Sequence, residues 1–482
     1  MKKTIISLFA ALALCLGLVI PAMAAETEVK TAEELQAALN KGGEIVLGSD
    51  IGAKSSLVVK SSAQLDLNGY KLTVVTKRDS GIIIDLGQTL TILDSRYVKG
   101  VSDQGKLSVN GYRAGIQTSG ATLIIDSGIV EAAGQWATGI GGIDAIGFYD
   151  GGTVIINGGT VTAKGGCPGV MGGAGIGGFS GDLYQPSGNG GTVTINGGTV
   201  TATGGTYAAG IGGGGSAAPN LRQGGNGGTV TITGGVVKAV AGGSRERAAS
   251  DIGSGSGGED GGTLKITGGI VELGANGTDA KISVLKRCTI TGAGAGDHKG
   301  NYDPGGQLVV VEGASSWASE SVARAIANGL VPRELQSNHT QPATRAEFCA
   351  LATALYETVS GEEIGERKSF SDTNDPNIEK MGALGVVSGV GADRFDPNGT
   401  LTREQAAVML ARLAEALERP LPESRPTFVD NETIASWAFA QVGQVQGANI
   451  MGGVGNGLFD PAGLYSREQS IATILRLFDA LN

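Results

Sequence analysis

The run GGTVTINGGTVTATGG, Gly190 to Gly205, returns as GGTVIINGGTVTAKGG (Gly151 to Gly166), GGTVTITGGVVKAV (Gly227 to Val240) and GGTLKITGGIVEL (Gly261 to Leu273). Apolar and polar residues alternate within each copy, the period of a strand with one buried face. Val193 and Ile195 then point inward, while Thr192, Thr194 and Asn196 point outward. The aligned threonines Thr153, Thr192, Thr229 and Thr263 are spaced by 39, 37 and 34 residues. Each copy is accompanied by a smaller signature: TGIGG from Thr138, AGIGG from Ala174, AGIGGGG from Ala209 and DIGSGSGG from Asp251. A repeat therefore holds two alternating strands joined by Gly-Gly, a loop of variable length and a short Gly-Ile-Gly segment. Constant strands with unequal spacing are the mark of a solenoid, in which insertions go to the loops. Stacking buries a continuous Val/Ile ladder that no single copy buries alone. The expected fold is a right-handed parallel β-helix, with a β-sandwich as the alternative.

Strand-like phrases extend the pattern upstream, among them EIVLGSDI, LDLNGYKLTV and ATLIIDSGIVEAAG. Ahead of them, TAEELQAALNKGG has capping-box spacing at Thr31 and Glu34 and one apolar face of Leu35, Ala38 and Leu39. Such a helix suits the open end of a sheet stack, where a bare edge invites aggregation.

Composition narrows the possible functions. The 482 residues include 84 glycines and 13 prolines without an every-third-residue period, so the chain is not collagen-like. MKKTIISLFAALALCLGLVIPAMA, residues 1–24, reads as a secretory signal ending at Ala22-Met23-Ala24. Its removal takes Lys2 and Lys3 and moves the formal charge from −10 to −12. That charge suits neither nucleic acid nor an anionic membrane. Cys167, Cys288 and Cys349 are odd in number and widely spaced, which reads as small apolar residues rather than a disulfide frame or zinc site. With only His298 and His339, no metal site, cofactor or histidine triad is expected. Carboxylates for hydrolase or lyase chemistry are scattered through the glycine-rich turns: Asp144, Asp150, Asp182, Asp251, Glu259 and Asp260, with Arg245 and Arg247. They do not share a strand position, and no catalytic residue is assigned. Outward threonine pairs such as Thr192/Thr194, Thr199/Thr201 and Thr229/Thr231 suggest an ice-ordering face, but the rows break at Ile155, Lys238 and Lys265.

Around Gly313 the Gly-Gly phrases give way to three related helical units. In each, a first helix ends at a glycine, a turn follows, and a second helix begins at TRAE, TREQ or SREQ. Thr344/Glu347, Thr402/Gln405 and Ser466/Gln469 have capping-box spacing. Ala406, Met409, Leu410 and Leu413 form an apolar helix face. FDPNG and FDPAG read as turns with Phe395 or Phe459 buried and glycine taking the positive φ. Arg345, Arg403 and Arg467 each stand first in the second helix, where a cation opposes the macrodipole by about 0.3–1 kcal/mol. Three such residues point to an anion held by the helix amides and a guanidinium fork. Pairing with Asp396 or Asp460 is the structural alternative. From Gly313 onward there are 13 Lys/Arg and 21 Asp/Glu, so attraction to an acidic polymer must be local.

LDLNGYKLTV and the strands after it resemble the pectate-lyase-like β-helix domains of secreted bacterial proteins. The C-terminal units resemble S-layer homology repeats through their FSD and FVD openings, Trp-Ala pairs, FDPxG turns and TRAE-type helix starts. The first unit departs in lacking F-x-D and FDPxG, having NHTQPA instead. The second has Asn377-Ile378 where Trp317-Ala318 and Trp437-Ala438 stand in the others. The resemblance implies a mature protein with a β-helix over 25–312 and an all-α, trimer-like bundle of repeats at 313–361, 362–422 and 423–482. It implies non-covalent anchoring to a pyruvylated or otherwise acidic secondary cell-wall polysaccharide through Arg345, Arg403 and Arg467, supported by the caps Thr344, Thr402 and Ser466. Trp317 and Trp437 are expected as core or groove-wall residues. The solenoid is then a displayed structural or adhesive module for glycans or a host surface, with a wall-anchored lyase or glycosidase as the other reading.

Overall fold

The computed structural model describes residues 26–98, 104–143, 149–166, 172–181, 186–216, 224–243, 249–309 and 311–481. The leader and Asp144, Cys167, Asp182, Arg245 and Arg247 lie outside the described residues.

The N-terminal region is a parallel β-helix of three stacked sheets. Sheet A and sheet B have ten strands each, and sheet C has seven. The chain visits A, B and C in turn, so strands adjacent in space are one full coil apart in sequence. Thr192–Ile195 and Thr199–Thr203 are consecutive strands of A and B, and Ile211–Gly212 follows in C. Register is in phase throughout the glycine-rich coils: Val154, Val193 and Val230 stack, as do Ile156, Ile195 and Ile232. These side chains are buried, with Val200 and Ala202 beside them, and form the continuous ladder expected. Outside, the threonine column Thr89, Thr122, Thr153, Thr192, Thr229 and Thr263 is unbroken on sheet A. The neighbouring column is interrupted by Ile124, Ile155 and Lys265. Corner side chains also stack: Asn157 donates to Asp126, Asn196 to Asn157, and Thr233 to Asn196.

The Gly-Ile-Gly segment is the third strand. Ile140–Gly141, Ile176–Gly177, Ile211–Gly212 and Ile252–Gly253 are buried on both faces. Two-residue strands covered on both sides show no alternation, so period alone does not reveal them. Their glycines have φ between 140° and 145°, and each backbone packs against the next coil.

The first helix, α1 (Ala32–Lys41), buries Leu35, Ala38 and Leu39 on the first coil. Thr31 accepts from the Glu34 amide as expected, while the Glu34 carboxylate reaches one residue further back, to the Lys30 amide. At the other end, Gly300–Tyr302 turns antiparallel against the last B strand, ending the parallel stack.

Six α-helices follow among the described residues: α2 (Ser319–Ala327), α3 (Arg345–Ser360), α4 (Pro376–Ala383), α5 (Arg403–Ala416), α6 (Phe439–Gly447) and α7 (Arg467–Leu481). In chain order they fall into three pairs, α2–α3, α4–α5 and α6–α7, and each first helix packs on the second helix of a neighbouring pair, α4 on α3, α6 on α5 and α2 on α7, around one core that includes Phe348, Phe395, Phe459 and Ile474. The pairs are closed into a ring by backbone bonds. Leu401 donates to Ala343, Tyr465 to Leu401, and Ala343 to Tyr465, at 2.9, 2.9 and 2.8 Å. A cycle of three equivalent bonds is a pseudo-threefold arrangement. Cys288 and Cys349 are buried free thiols, and burial pushes the Cys288 pKa up to about 12. Among the described residues no helix is long and apolar enough to cross a membrane.

Candidate functional site

All three predicted caps form. Thr344 and Glu347, Thr402 and Gln405, and Ser466 and Gln469 exchange the two bonds of a capping box. The helix amides are not left for an anion, however. Arg345 and Ala346 donate to Gly399 and Pro397, Arg403 and Glu404 to Gly463 and Pro461, and Arg467 and Glu468 to Gln341 and His339. Each second helix thus starts on the turn of the next pair around the ring. The sequence expectation of free amides is corrected on this point: the first three N–H groups of each helix have protein acceptors.

The guanidinium groups reach across the same junctions. Arg345 donates through Nε to the Phe395 carbonyl and through Nη2 to Ser388, both at 3.0 Å. Arg403 repeats this with Phe459 and Gly452, both at 2.7 Å. Their Cζ atoms lie 4.4 and 4.9 Å from the Phe395 and Phe459 ring centres. This cation–π contact and the two carbonyls account for a cation at a helix start, where the macrodipole disfavours it. Among the described residues neither Arg345 nor Arg403 forms an ion pair with Asp396 or Asp460. Burial draws both guanidinium pKa values below their ordinary position, though arginine stays charged.

Arg467 differs because the first pair has no FDPxG turn. Ser337 stands where the others have phenylalanine, so no ring lies under this guanidinium. Arg467 donates through Nη1 to the Ser337 carbonyl and through Nη2 to Glu347 Oε1 at 2.6 Å. Its Nε is buried without a partner.

The turns carry a second correction. Positive φ falls on Asp396 (62°), Asp460 (57°) and Asn338 (52°), not on Gly399 or Gly463. Gly399 and Gly463 instead leave room for the Asp396 and Asp460 carboxylates, which a Cβ would meet. Asp372 and Asp430, from the FSD and FVD openings, accept the two amides that start each turn, at 2.7–2.8 Å. Backbone bonding from Phe395 holds the Asp372 carboxyl below its usual range. For Asp430, burial acts upward but the Phe459 and Asp460 amides outweigh it.

Trp317 and Trp437 are 54% and 55% exposed, so neither is a core residue. In the second pair, Val386 donates to Met381 as Ile450 does to Val445 and Leu330 to Ala325. Ile378 therefore corresponds to Val442 and Val322, and α4 begins later in the unit, capped by Asp375 with Pro376 following. Asn377 does not replace tryptophan; counted back from Ile378, Thr373 falls in that place.

One groove at the ring, of about 320 Å³, is lined by Arg403, Trp317, Tyr465, Gln469, Arg476 and Gly452. It takes Trp317 from the first pair, Arg403 from the second and the rest from the third. Burial pushes the Tyr465 hydroxyl up to about 12, and it donates to Thr473 at 2.9 Å.

Of the candidate acidic residues in the solenoid, Asp150, Asp251 and Asp260 accept from backbone amides. Asp251 is buried and accepts from Ala241, Asn276 and Gly277, and its burial raises its pKa. Asp150 accepts from Asn189, and Asp260 from Gly262. Glu259 lies beside Asp260 in a turn whose amides donate to Asn226.

These helix pairs, with their F-x-D openings and FDPxG turns, can now be set beside known proteins. Residues 369–407 match the S-layer homology domain. The match spans the FSD opening, α4, the FDPNG turn and the start of α5, including Arg403. An S-layer homology domain places the chain at the cell surface. The chain is 30% identical over 179 residues to an amylopullulanase of Thermoanaerobacterium thermosulfurigenes, covering 34% of this chain and 9% of the relative. It is 31% identical over 143 residues to an endoglucanase of Bacillus sp. (strain KSM-635), covering 29% and 15%. A cell surface glycoprotein 1 of Acetivibrio thermocellus is 26% identical over 140 residues, covering 26% and 6%. The chain thus spans less than a sixth of the length of these curated relatives.

His339 was not singled out by sequence. It is fully buried at the Arg467 junction, in the place of Pro397 and Pro461, with neither ring nitrogen hydrogen-bonded. Burial, then the Arg467 charge, lowers its pKa from 6.5, against smaller opposing pulls from Glu468 and the Gln336 backbone. A histidine with a depressed folded pKa contributes no penalty above about 6.5 and costs stability as pH falls below it. Thermal melts between about pH 7.5 and pH 5 should show this acid limb. His339→Pro should flatten it, because proline fits the equivalent turns and removes the titrating ring.

Proposed function

We propose that the three helix pairs are three S-layer homology repeats that tether the chain non-covalently to an acidic secondary cell-wall polysaccharide, displaying the β-helix outward. The observation carrying this reading is Arg403. It is 5% exposed and lines an open groove, and its Nη1 has no protein acceptor among the described residues. A buried charged donor left open toward a groove is suited to a carboxylate, such as a pyruvate ketal or a uronic acid. Arg345 also keeps an open Nη1, and Arg467 takes the third equivalent place. Thr344, Thr402 and Ser466 fix the helix starts that carry them. The relatives support a tether: proteins named for different reactions share only a small fraction of their length with this chain, as a common attachment module does.

The full chain should sediment with isolated bacterial walls and remain in solution when the walls have lost their secondary polysaccharide. Equal sedimentation with stripped walls would sink the proposal. The names of the glucan-degrading relatives favour one second reading, that the solenoid degrades polysaccharide. The same preparation, assayed for new reducing ends and unsaturated uronates, decides it: turnover supports an enzyme, and its absence supports display.

A further inference from the structure

Among the described residues of the solenoid, the exposed aromatic side chains are Tyr112 and Trp136, at 38% and 52%. Both stand where sheet B gives way to sheet C, on consecutive coils, with ring centres 6.2 Å apart and planes at 46°. The backbone beneath them is fixed. Gln135 and Trp136 donate to the Gly111 and Tyr112 carbonyls at 2.9 and 3.0 Å, and Tyr112 donates to Thr76 Oγ1 at 3.1 Å. Neither ring belongs to a hydrophobic core cluster. An exposed aromatic pair on a rigid backbone marks a binding face. The polar groups around it are also placed. Gln135 Nε2 donates to Asn110 Oδ1 at 3.4 Å, which leaves Asn110 Nδ2 and Gln135 Oε1 without protein partners among the described residues. The preceding coil carries Lys77 and Arg78 in a turn whose ends, Thr76 and Asp79, accept the Tyr112 and Arg113 amides. Both cations are exposed and have no ion pair among the described residues, on a chain of net negative charge. Later coils do not repeat the arrangement: Gly166 stacks on Gln135, and Gly205 on Gly166.

We infer that this corner binds a polysaccharide whose pyranose units carry acetamido and carboxylate groups, with Lys77, Arg78, Asn110, Tyr112, Gln135 and Trp136 as ligand-contacting residues. Each part of the ligand answers to a part of the corner. Pyranose rings present a C–H face that packs on an aromatic ring, and Tyr and Trp supply rigid contact area at little entropic cost. A free amide donor beside a free amide acceptor matches the carbonyl and N–H of an acetamido group. Lys77 and Arg78 supply the countercharge for a carboxylate. Coils lie about 4.8 Å apart, so a glycan laid along the solenoid axis meets one ring per coil. A protein partner fits less well, because two half-exposed rings offer a small part of the about 800 Å² that each side of a stable complex buries. The inference goes beyond the wall tether and stands without it, since no residue of the helical region takes part.

Fluorescence anisotropy of the full chain with short labelled hyaluronan oligosaccharides, which alternate an acetamido sugar with a uronate, tests the assignment. Saturable binding is expected. It should weaken at least about tenfold in Trp136→Ala and in the double variant Lys77→Gln/Arg78→Gln, while Trp136→Phe stays within about threefold of the parent. Chitin oligosaccharides lack the carboxylate and oligogalacturonate lacks the acetamido group, so each should bind at least about tenfold more weakly. Lys265→Gln removes an exposed cation from sheet A and should match the parent. Circular dichroism melts at the parental temperature would show that the losses are not unfolding. Parental affinity in Trp136→Ala overturns the assignment, as does an equal loss in Lys265→Gln, which would mean diffuse charge. Equal binding of oligogalacturonate overturns it by leaving the amide pair without a role, and so does a parent that binds no hyaluronan. Trp136→Ala should sediment with isolated walls as the parent does, so the two readings fail separately.

Discussion

Gly212→Ala is expected to destabilise the β-helix by about 4 kcal/mol or more, a cost outside the range of ordinary surface substitutions. Gly212 has φ 140°, a backbone conformation that L side chains rarely adopt. A Cβ built there runs into the carbonyl oxygen of Gly253 on the next coil, and that oxygen already accepts the Gly213 amide at 2.9 Å. Gly141 has the same relation to Gly177, and Gly177 to Gly212. The clash is therefore with rigid, hydrogen-bonded backbone rather than with the end of a side chain that can swing away. Relief requires the coils to part, which breaks the C ladder and opens the Val/Ile column beneath. Gly52→Ala is the contrasting change: its Cβ meets nothing within 4 Å and its φ is not positive. It should be neutral within about 0.5 kcal/mol, or slightly stabilising through the unfolded chain. Chemical denaturation of the two variants, followed by far-UV circular dichroism, checks both. Equal stabilities would mean that the C-sheet glycines are not under packing constraint.

This contrast bears on what the sequence makes legible. Alternation in TVTI and TVTAT identifies sheets A and B, because half-buried strands write their geometry as period 2. Sheet C writes nothing of the kind: both faces are covered, the strands are two residues long, and the signal is a pair of small residues. The Gly-Ile-Gly signature was visible, but its role depends on contacts with another coil. The helical region divides in the same way. Caps such as Thr402/Gln405 are local and legible. The partners of Arg345 and Arg403 lie in the neighbouring pair, so their acceptors are fixed only when the ring closes. Loss of the FDPxG phenylalanine in the first pair was equally plain in sequence. Its consequence, that Arg467 turns to Glu347 for countercharge, is a property of the folded junction.

Arg403→Met is expected to lower the stability of the helical region by about 3–5 kcal/mol, the sum of two charge-assisted bonds to backbone acceptors. Nε to Phe459 and Nη2 to Gly452 are short, and both carbonyls would lose a buried donor. Methionine fills part of the volume and stacks on Phe459, so the change isolates hydrogen bonding from cavity formation. Arg345→Met should cost less, because Arg345 is more exposed and its two bonds are longer. The order matters more than the absolute values, and urea unfolding with matched m-values gives it. An Arg403 variant as stable as the parent would mean that the junction is held by its backbone bonds, including those from the Arg403 and Glu404 amides, without the guanidinium. The expected result has a consequence for function. Replacing all three arginines at once removes the guanidinium ties at all three junctions, so loss of wall binding in that variant would follow from unfolding as readily as from loss of ligand contacts. The arginine ring holds the grooves in shape, and binding is best tested at residues such as Arg476 that face the groove without closing it.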